Sequence, residues 1–206
     1  MKRNFELLNR DMLYRGFFRL ERYRLRHTLF RGGWTEAIER ELFRRGDCVA
    51  VLLYDPERDC VILQEQFRIG AALRPGQSPW LWEIVAGAVE PSETEEAVAR
   101  REAMEEAGCE IRDLRLIHRF YTSPGGASEW LSLYLGIVDS RQAGGVFGLD
   151  HEHEDILVTP VSFAQAMTML ANGEIHSAIP IIALQWLALQ RENFLNLKAA
   201  VPDAGA

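Results

Sequence analysis

Between Gly87 and Cys109 the chain reads GAVEPSETEEAVARREAMEEAGC, which sets Gly87, Glu93, Arg101, Glu102, Glu105, Glu106 and Gly108 in the spacing G-x5-E-x7-R-E-U-x-E-E-x-G-U, with U small or aliphatic. Seven fixed residues, each used at roughly one position in fifteen to twenty, would meet by accident about once in 10⁸ to 10⁹ starts. The segment therefore acts as a unit, and its chemistry predicts a helix. Ser92 followed by Glu95 forms a capping box, and Glu93, Glu95 and Glu96 put negative charge where a helix N-terminus favours it. Ala97 to Ala107 holds no Gly or Pro, and Gly108 suits a left-handed C-terminal cap. The expected span is Glu93 to Ala107.

On that helix Ala103, Met104 and Ala107 make a small apolar stripe that fits closely on a sheet, although Arg100 falls unexplained on the same stripe. Glu102, Glu105 and Glu106 project from another face at i, i+3, i+4 and repel one another at a cost of about a few tenths of a kcal/mol per pair. The negative end of the helix dipole adds to that cost. A divalent cation turns the repulsion into chelation, and oxygen-only ligands favour Mg²⁺ or Mn²⁺ over zinc. For R-E-x-x-E-E alone the plainer reading is a solvated acidic face with Arg101 paired to Glu105. The register of Gly87, Glu93 and Gly108 argues against it.

The pattern resembles the box of the Nudix hydrolases, which cleave nucleoside diphosphates linked to another group. The resemblance implies an α/β fold, the Nudix α/β/α sandwich, in which Glu102 and Glu106, helped by Glu105, hold metal. It also implies that Glu93 and Arg101 pair to orient loop and helix, with Gly87 and Gly108 as structural support.

Composition bounds the rest. At 206 residues the chain suffices for one main domain with an appendage, and a net charge of −7 with pI near 5.3 disfavours nucleic acid and anionic membrane as partners. Cys48, Cys60 and Cys109 lack metal-ligand spacing and read as free thiols, the N-terminal stretch lacks the apolar core of a signal peptide, and cytoplasmic residence is expected.

Period-two alternation from Phe17 to Phe30 predicts a strand, and with the following TEAIERELFRRGD it suggests a strand-rich N-terminal unit over 1–46, ahead of a main domain over 47–206. CVAVLLYD, CVILQEQF, LWEIVA, DLRLIHRFY, EWLSLYLGIV and ILVTPVS read as strands. FRIGAALRPGQSPW reads as loop. Ser162 caps a helix that Gly173 ends, and a last helix runs from Ala178 to Asn196 with Leu184, Leu187 and Leu189 in its apolar set. Only the final VPDAGA looks compositionally simple.

Three segments narrow the resemblance to the ADP-ribose pyrophosphatase branch and extend it from Tyr14 onward: Pro124, fifteen residues past the box; the junction LWEIVAG; and HEHEDI with the closing IIALQWLAL. That branch implies the carbonyl of Ala86 as a metal ligand, Glu152 as general base and Glu154 as a further ligand. The spacing of the last two suits an extended loop, where alternate residues share a side. It implies Arg40, Glu41, Arg45 and Arg68 as substrate contacts, the guanidinium fork suiting phosphate oxygens. It further implies Phe17 and Phe18 as stacking rings for adenine from a second subunit, and Ser123, Pro124, Gly125 and Glu129 at the terminal ribose. The expected protein is a homodimer with exchanged N-terminal units, using Mg²⁺ or Mn²⁺ to hydrolyse ADP-ribose. The alternatives are hydrolysis of another nucleotide sugar such as GDP-mannose, or a regulator that binds ADP-ribose without cleaving it.

Overall fold

The computed structural model describes residues 3–199, so VPDAGA lies outside the described residues. In chain order the elements are strands β1 (Phe5–Arg15), β2 (Arg19–His27), β3 (Ile38–Arg44), β4 (Cys48–Asp55) and β5 (Cys60–Phe67), a short helix α1 (Ile69–Ala72), strands β6 (Trp80–Glu83) and β7 (Val85–Ala88), and helix α2 (Glu95–Ala107). After them come β8 (Asp113–Tyr121), β9 (Trp130–Ile137), β10 (Gly145–Phe147) and β11 (Ile156–Ser162), then helices α3 (Phe163–Ala171) and α4 (Ala178–Ala199). They form two compact units. One comprises the chain up to Asp47 together with Phe120–Leu131, and the other Cys48–Arg119 and Ser132 onward.

The first unit is a three-stranded sheet ordered β1-β2-β3, antiparallel throughout. β1 was not expected from the sequence because its pattern is interrupted. Register shifts between Leu7 and Asn9 and between Met12 and Tyr14 slip its alternation, so the adjacent pairs Leu7–Leu8 and Met12–Leu13 defeat a period-two reading. On β2 the fully buried position is not apolar but Glu21, covered by Arg10, the Tyr23 hydroxyl and Arg44. These donors, Arg10 first, hold the Glu21 carboxyl below its ordinary range.

The second unit is built on a mixed sheet with the path β10-β11-β5-β4-β9-β8; β6 pairs with β5, and β7 with β4. LWEIVA is thus split at Ile84: Gln64 to Phe67 of β5 take β6, while Cys48 to Val51 of β4 take β7. On one face of the sheet Val49, Val51, Leu53, Cys60, Ile62 and Val158 pack against Val98, Ala99, Ala103 and Ala107 of α2. α3 begins as expected, the Ser162 side chain accepting from the Gln165 amide, and it ends before Gly173 at φ 71°. In α4 Leu184 and Leu187 are buried, whereas Leu189, five residues beyond Leu184 and so off that face, is exposed. Among the described residues no helix is long and apolar enough to cross a membrane.

Candidate active site

α2 starts two residues later than its sequence suggests. Thr94, in extended conformation, is the cap and accepts from the Ala97 amide at 3.2 Å, leaving Ser92 outside. The shift frees both neighbouring glutamates. Glu93, ahead of the helix, turns to Arg101, and Glu95 accepts from Arg119 (2.7 Å) and the Tyr134 hydroxyl (2.9 Å) instead of closing a capping box. Met104 points outward, so the buried stripe is Val98, Ala99, Ala103 and Ala107. Arg100 is accounted for by its hydrogen bond to the carbonyl of Ile111 at 2.6 Å. Gly108 closes the helix at φ 61°, and a Cβ there would meet the ring of Phe147 at 2.6 Å. Any side chain at this position would be strained twice over.

The acidic residues are held by a small number of donors. Arg101 reaches three of them: Glu93 through Nε at 3.1 Å and Nη2 at 3.3 Å, Glu102 at 2.9 Å, and Glu105 at 2.8 Å through Nη1. Glu106 is buried, and its Oε2 accepts from both the Gln64 side-chain amide and the Ala86 backbone amide, each at 3.0 Å. Glu102 lies flat against Gly87, where a Cβ would stand 1.9 Å from Oε1. Burial is the chief reason that the Glu106 carboxyl is pushed up to about 8, with the charges of Glu102 and Glu154 adding to it and the two amide donors opposing. Burial likewise raises Glu102 to about 7, against the pull of Arg101 and with Glu105 and Glu154 adding to the rise.

The loop before β11 differs from expectation in shape. Asp150–Glu152 forms a helical turn and His153 is left-handed at φ 57°, so the segment is not extended and Glu152 and Glu154 do not share a side by alternation. The Leu149 carbonyl accepts from the amides of Glu152 (2.9 Å) and Glu154 (3.3 Å), and the Glu154 carboxylate folds back on the Leu149 amide at 3.3 Å. Gly148, at φ 109°, leaves room for Glu154, whose Cβ would lie 2.7 Å from a side chain there. Glu154 is half-buried and coupled by charge to Glu102 and Glu106, while Glu152 is exposed, with His151 as its neighbour at 3.7 Å.

Among the described residues no three His, Cys, Asp or Glu side chains already converge as a cation cage. The donor set nonetheless fits a hard divalent ion. Two carboxyls are buried enough to resist ionisation, and a cation would supply the charge that Arg101 supplies only in part. A pH dependence follows. From the ordinary value of 4.5 up to about 8 the folded chain holds protons that the unfolded chain has released, so metal-free stability is expected to fall as pH rises through that window. Thermal melts between pH 5 and 9 should show the slope in the parent and a much flatter line in a Glu102→Gln, Glu106→Gln double variant. Equal slopes would refute the assignment.

Within the first unit a second cluster forms. Phe17 is almost wholly exposed and meets Phe18 edge-on at 4.8 Å, Phe18 touches Phe43 at 4.8 Å, and the Arg45 guanidinium lies 5.1 Å over the Phe18 ring. Arg45 also pairs with Glu129 at 3.1 Å, and Thr122 donates to Glu129 at 2.7 Å. Ser123 turns the loop by accepting from the amides of Gly126 and Ala127, with Pro124 and Gly125 exposed at the tip. Arg40 does not join this group. It sits on the face of β3 opposite to Glu41, and its guanidinium donates to the Glu39 carbonyl at 2.7 Å. In the second unit Arg68 pairs with Glu83 at 2.7 Å. The sequence does not single out Gln64 or Glu83: Gln64 is the first of three consecutive polar residues in CVILQEQF, and Glu83 closes the short strand WLWE.

A Nudix domain profile matches residues 44–179. The chain belongs to the Nudix family. It is 46% identical over 195 residues to the ADP-ribose pyrophosphatase of Escherichia coli K12, covering 95% of this chain and 93% of that one. It is 46% identical over 190 residues to the ADP-ribose pyrophosphatase of Haemophilus influenzae, covering 91% and 88%. The GDP-mannose pyrophosphatase of Escherichia coli UTI89 is more distant, at 34% identity over 152 residues, covering 73% and 78%. A crystal structure of an ADP compounds hydrolase superposes with a TM-score of 0.69 over 96% of this chain and 97% of that one; at 19% identity it speaks for the Nudix fold alone. The chain is thus a Nudix-fold enzyme of the hydrolase class.

Proposed function

We propose that this protein hydrolyses ADP-ribose to AMP and ribose 5-phosphate with Mg²⁺ or Mn²⁺ bound by Glu102, Glu106, Glu154 and the carbonyl of Ala86. The observation that carries the reading is the clustering of Glu102, half-buried against Gly87, and Glu106, buried under the amides of Gln64 and Ala86, on a helix whose Arg101 is shared among three glutamates. Identity of 46% to ADP-ribose pyrophosphatases along nearly the whole chain supports the substrate. Held by Glu102, Glu106 and Glu154, a divalent ion would supply positive charge to the diphosphate and lower the pKa of the attacking water. Glu152, exposed beside His151, takes the proton of that water as it adds to phosphorus and the bridging P–O bond breaks. Arg101 steadies Glu102 and Glu105, and Glu105 assists at the metal.

Phe17 and Phe18 are assigned to adenine, Arg40, Arg45 and Arg68 to the phosphates, Glu41 to a further substrate contact, and Ser123, Pro124, Gly125 and Glu129 to the terminal ribose. Apolar side chains exposed on β1, among them Phe5, Leu7, Met12 and Tyr14, support a homodimer that covers them. Light scattering that finds a monomer would remove the dimer. The acidic balance and the three free cysteines support a cytoplasmic enzyme with no nucleic-acid or membrane partner.

Product analysis on ADP-ribose, GDP-mannose and related nucleoside diphosphates, with and without EDTA, tests the reading. AMP from ADP-ribose, abolished by EDTA, is expected. The GDP-mannose relatives make preference for that substrate the second reading, and faster release of GMP would select it. Binding of ADP-ribose without AMP release would instead make the protein a regulator. Glu152→Gln is expected to lower turnover about 100-fold while Mn²⁺ affinity stays within about twofold. Loss of Mn²⁺ binding would exchange its role with that of Glu154.

A further inference from the structure

β5 alternates apolar side chains toward α2, Cys60 and Ile62, and then sets Gln64 on the same face. Gln64 is 1% exposed, lies opposite Val158 on β11, and has no packing reason to be an amide. Its Nε2 donates to Oε2 of Glu106 at 3.0 Å, and the Ala86 amide donates to the same oxygen at the same distance. The reverse orientation of the amide would set oxygen against oxygen. Its own Oε1 is buried without a hydrogen-bond partner, a costly arrangement that methionine of similar volume would avoid. Two donors from different strands therefore converge on one oxygen of Glu106 and leave Oε1 as the oxygen free to ligate.

We propose that Gln64 is the positioning residue of Glu106, fixing which carboxylate oxygen faces the cation. It acts through Glu106 and touches no substrate, in the manner of the outer partners that orient metal ligands. The proposal rests on the reading of Glu106 as a metal ligand.

The test is calorimetric titration of the metal-free protein with MnCl₂ in the parent, Gln64→Met, Glu106→Gln and the double variant, with kcat and KM measured alongside. Gln64→Met is expected to weaken Mn²⁺ binding by about 10-fold and to lower kcat with KM for ADP-ribose little changed. In the Glu106→Gln background the same change should alter affinity by less than about twofold, because the residue it acts through is gone. Gln64→His, which keeps an N–H at that depth, is expected to stay within about threefold of the parent and serves if the methionine variant does not fold. Parent-like Mn²⁺ binding by Gln64→Met, an equal loss with and without Glu106, or failure of histidine to rescue would each overturn the proposal. A Glu106→Gln protein that binds Mn²⁺ as the parent does would instead remove the metal reading itself.

Discussion

Glu106→Gln is expected to lower turnover of ADP-ribose by about 1000-fold or more, equivalent to about 4 kcal/mol of barrier, with no loss of fold. The size of the effect follows from the two donors on Glu106. The amides of Gln64 and Ala86 both point at one oxygen, so a glutamine at 106 must turn its carbonyl toward them and its NH₂ outward, where the ligating oxygen stood. The cation then meets a donor group instead of an anion. The fold should tolerate the change because the Glu106 carboxyl, raised to about 8 by burial, is already mostly neutral at pH 7 without metal. A melting temperature within about 3 °C of the parent, together with the collapse in kcat, is the expected pair of results. Parent-like turnover would refute the role, and unfolding would mean that Glu106 is chiefly a packing residue.

Gly87→Ala should produce the second large effect. The φ of Gly87 is not in the left-handed region, so alanine meets no backbone strain and acts purely through space. The added carbon would fall 1.9 Å from Oε1 and 2.2 Å from Cδ of Glu102, which excludes the observed position of that side chain. Glu102 must swing away, giving up both its place against Gly87 and its contact with Arg101. A loss of about 100-fold or more in kcat is expected, with melting lowered by only a few degrees, since the displaced group is the end of a flexible chain. Turnover within about threefold of the parent would mean that Glu102 works from a different position.

The helix and its Gly108 cap were readable because each rests on residues within one or two turns of one another, whereas the Glu93–Arg101 pair, eight residues apart with Glu93 ahead of the helix, came only through the resemblance to the Nudix box. Strands β4, β5, β8, β9 and β11 were readable because their apolar runs are bounded by turns. β1 was not, since two register shifts slip its alternation, and the helical turn at Asp150 was not, since nothing in DHEHED distinguishes a turn from an extended loop. The cap moved from Ser92 to Thr94 because the competition between two good capping residues is decided by where Glu93 and Glu95 find partners, on Arg101 and on β8 and β9. Gln64 was invisible for the same reason. Its meaning depends on Glu106, forty-two positions away in the chain.

If Glu106 and the half-buried Glu102 hold a divalent cation, titration of the metal-free protein with MnCl₂ at pH 7, in two buffers of different ionisation enthalpy, registers it at the site itself. Because Glu106 and Glu102 sit near 8 and 7 without metal, saturation should release about one proton per chain, making the observed heat depend on the buffer, and Glu106→Gln should abolish most of both signals. Absence of Mn²⁺ uptake, or uptake and proton release unchanged in Glu106→Gln, would contradict it.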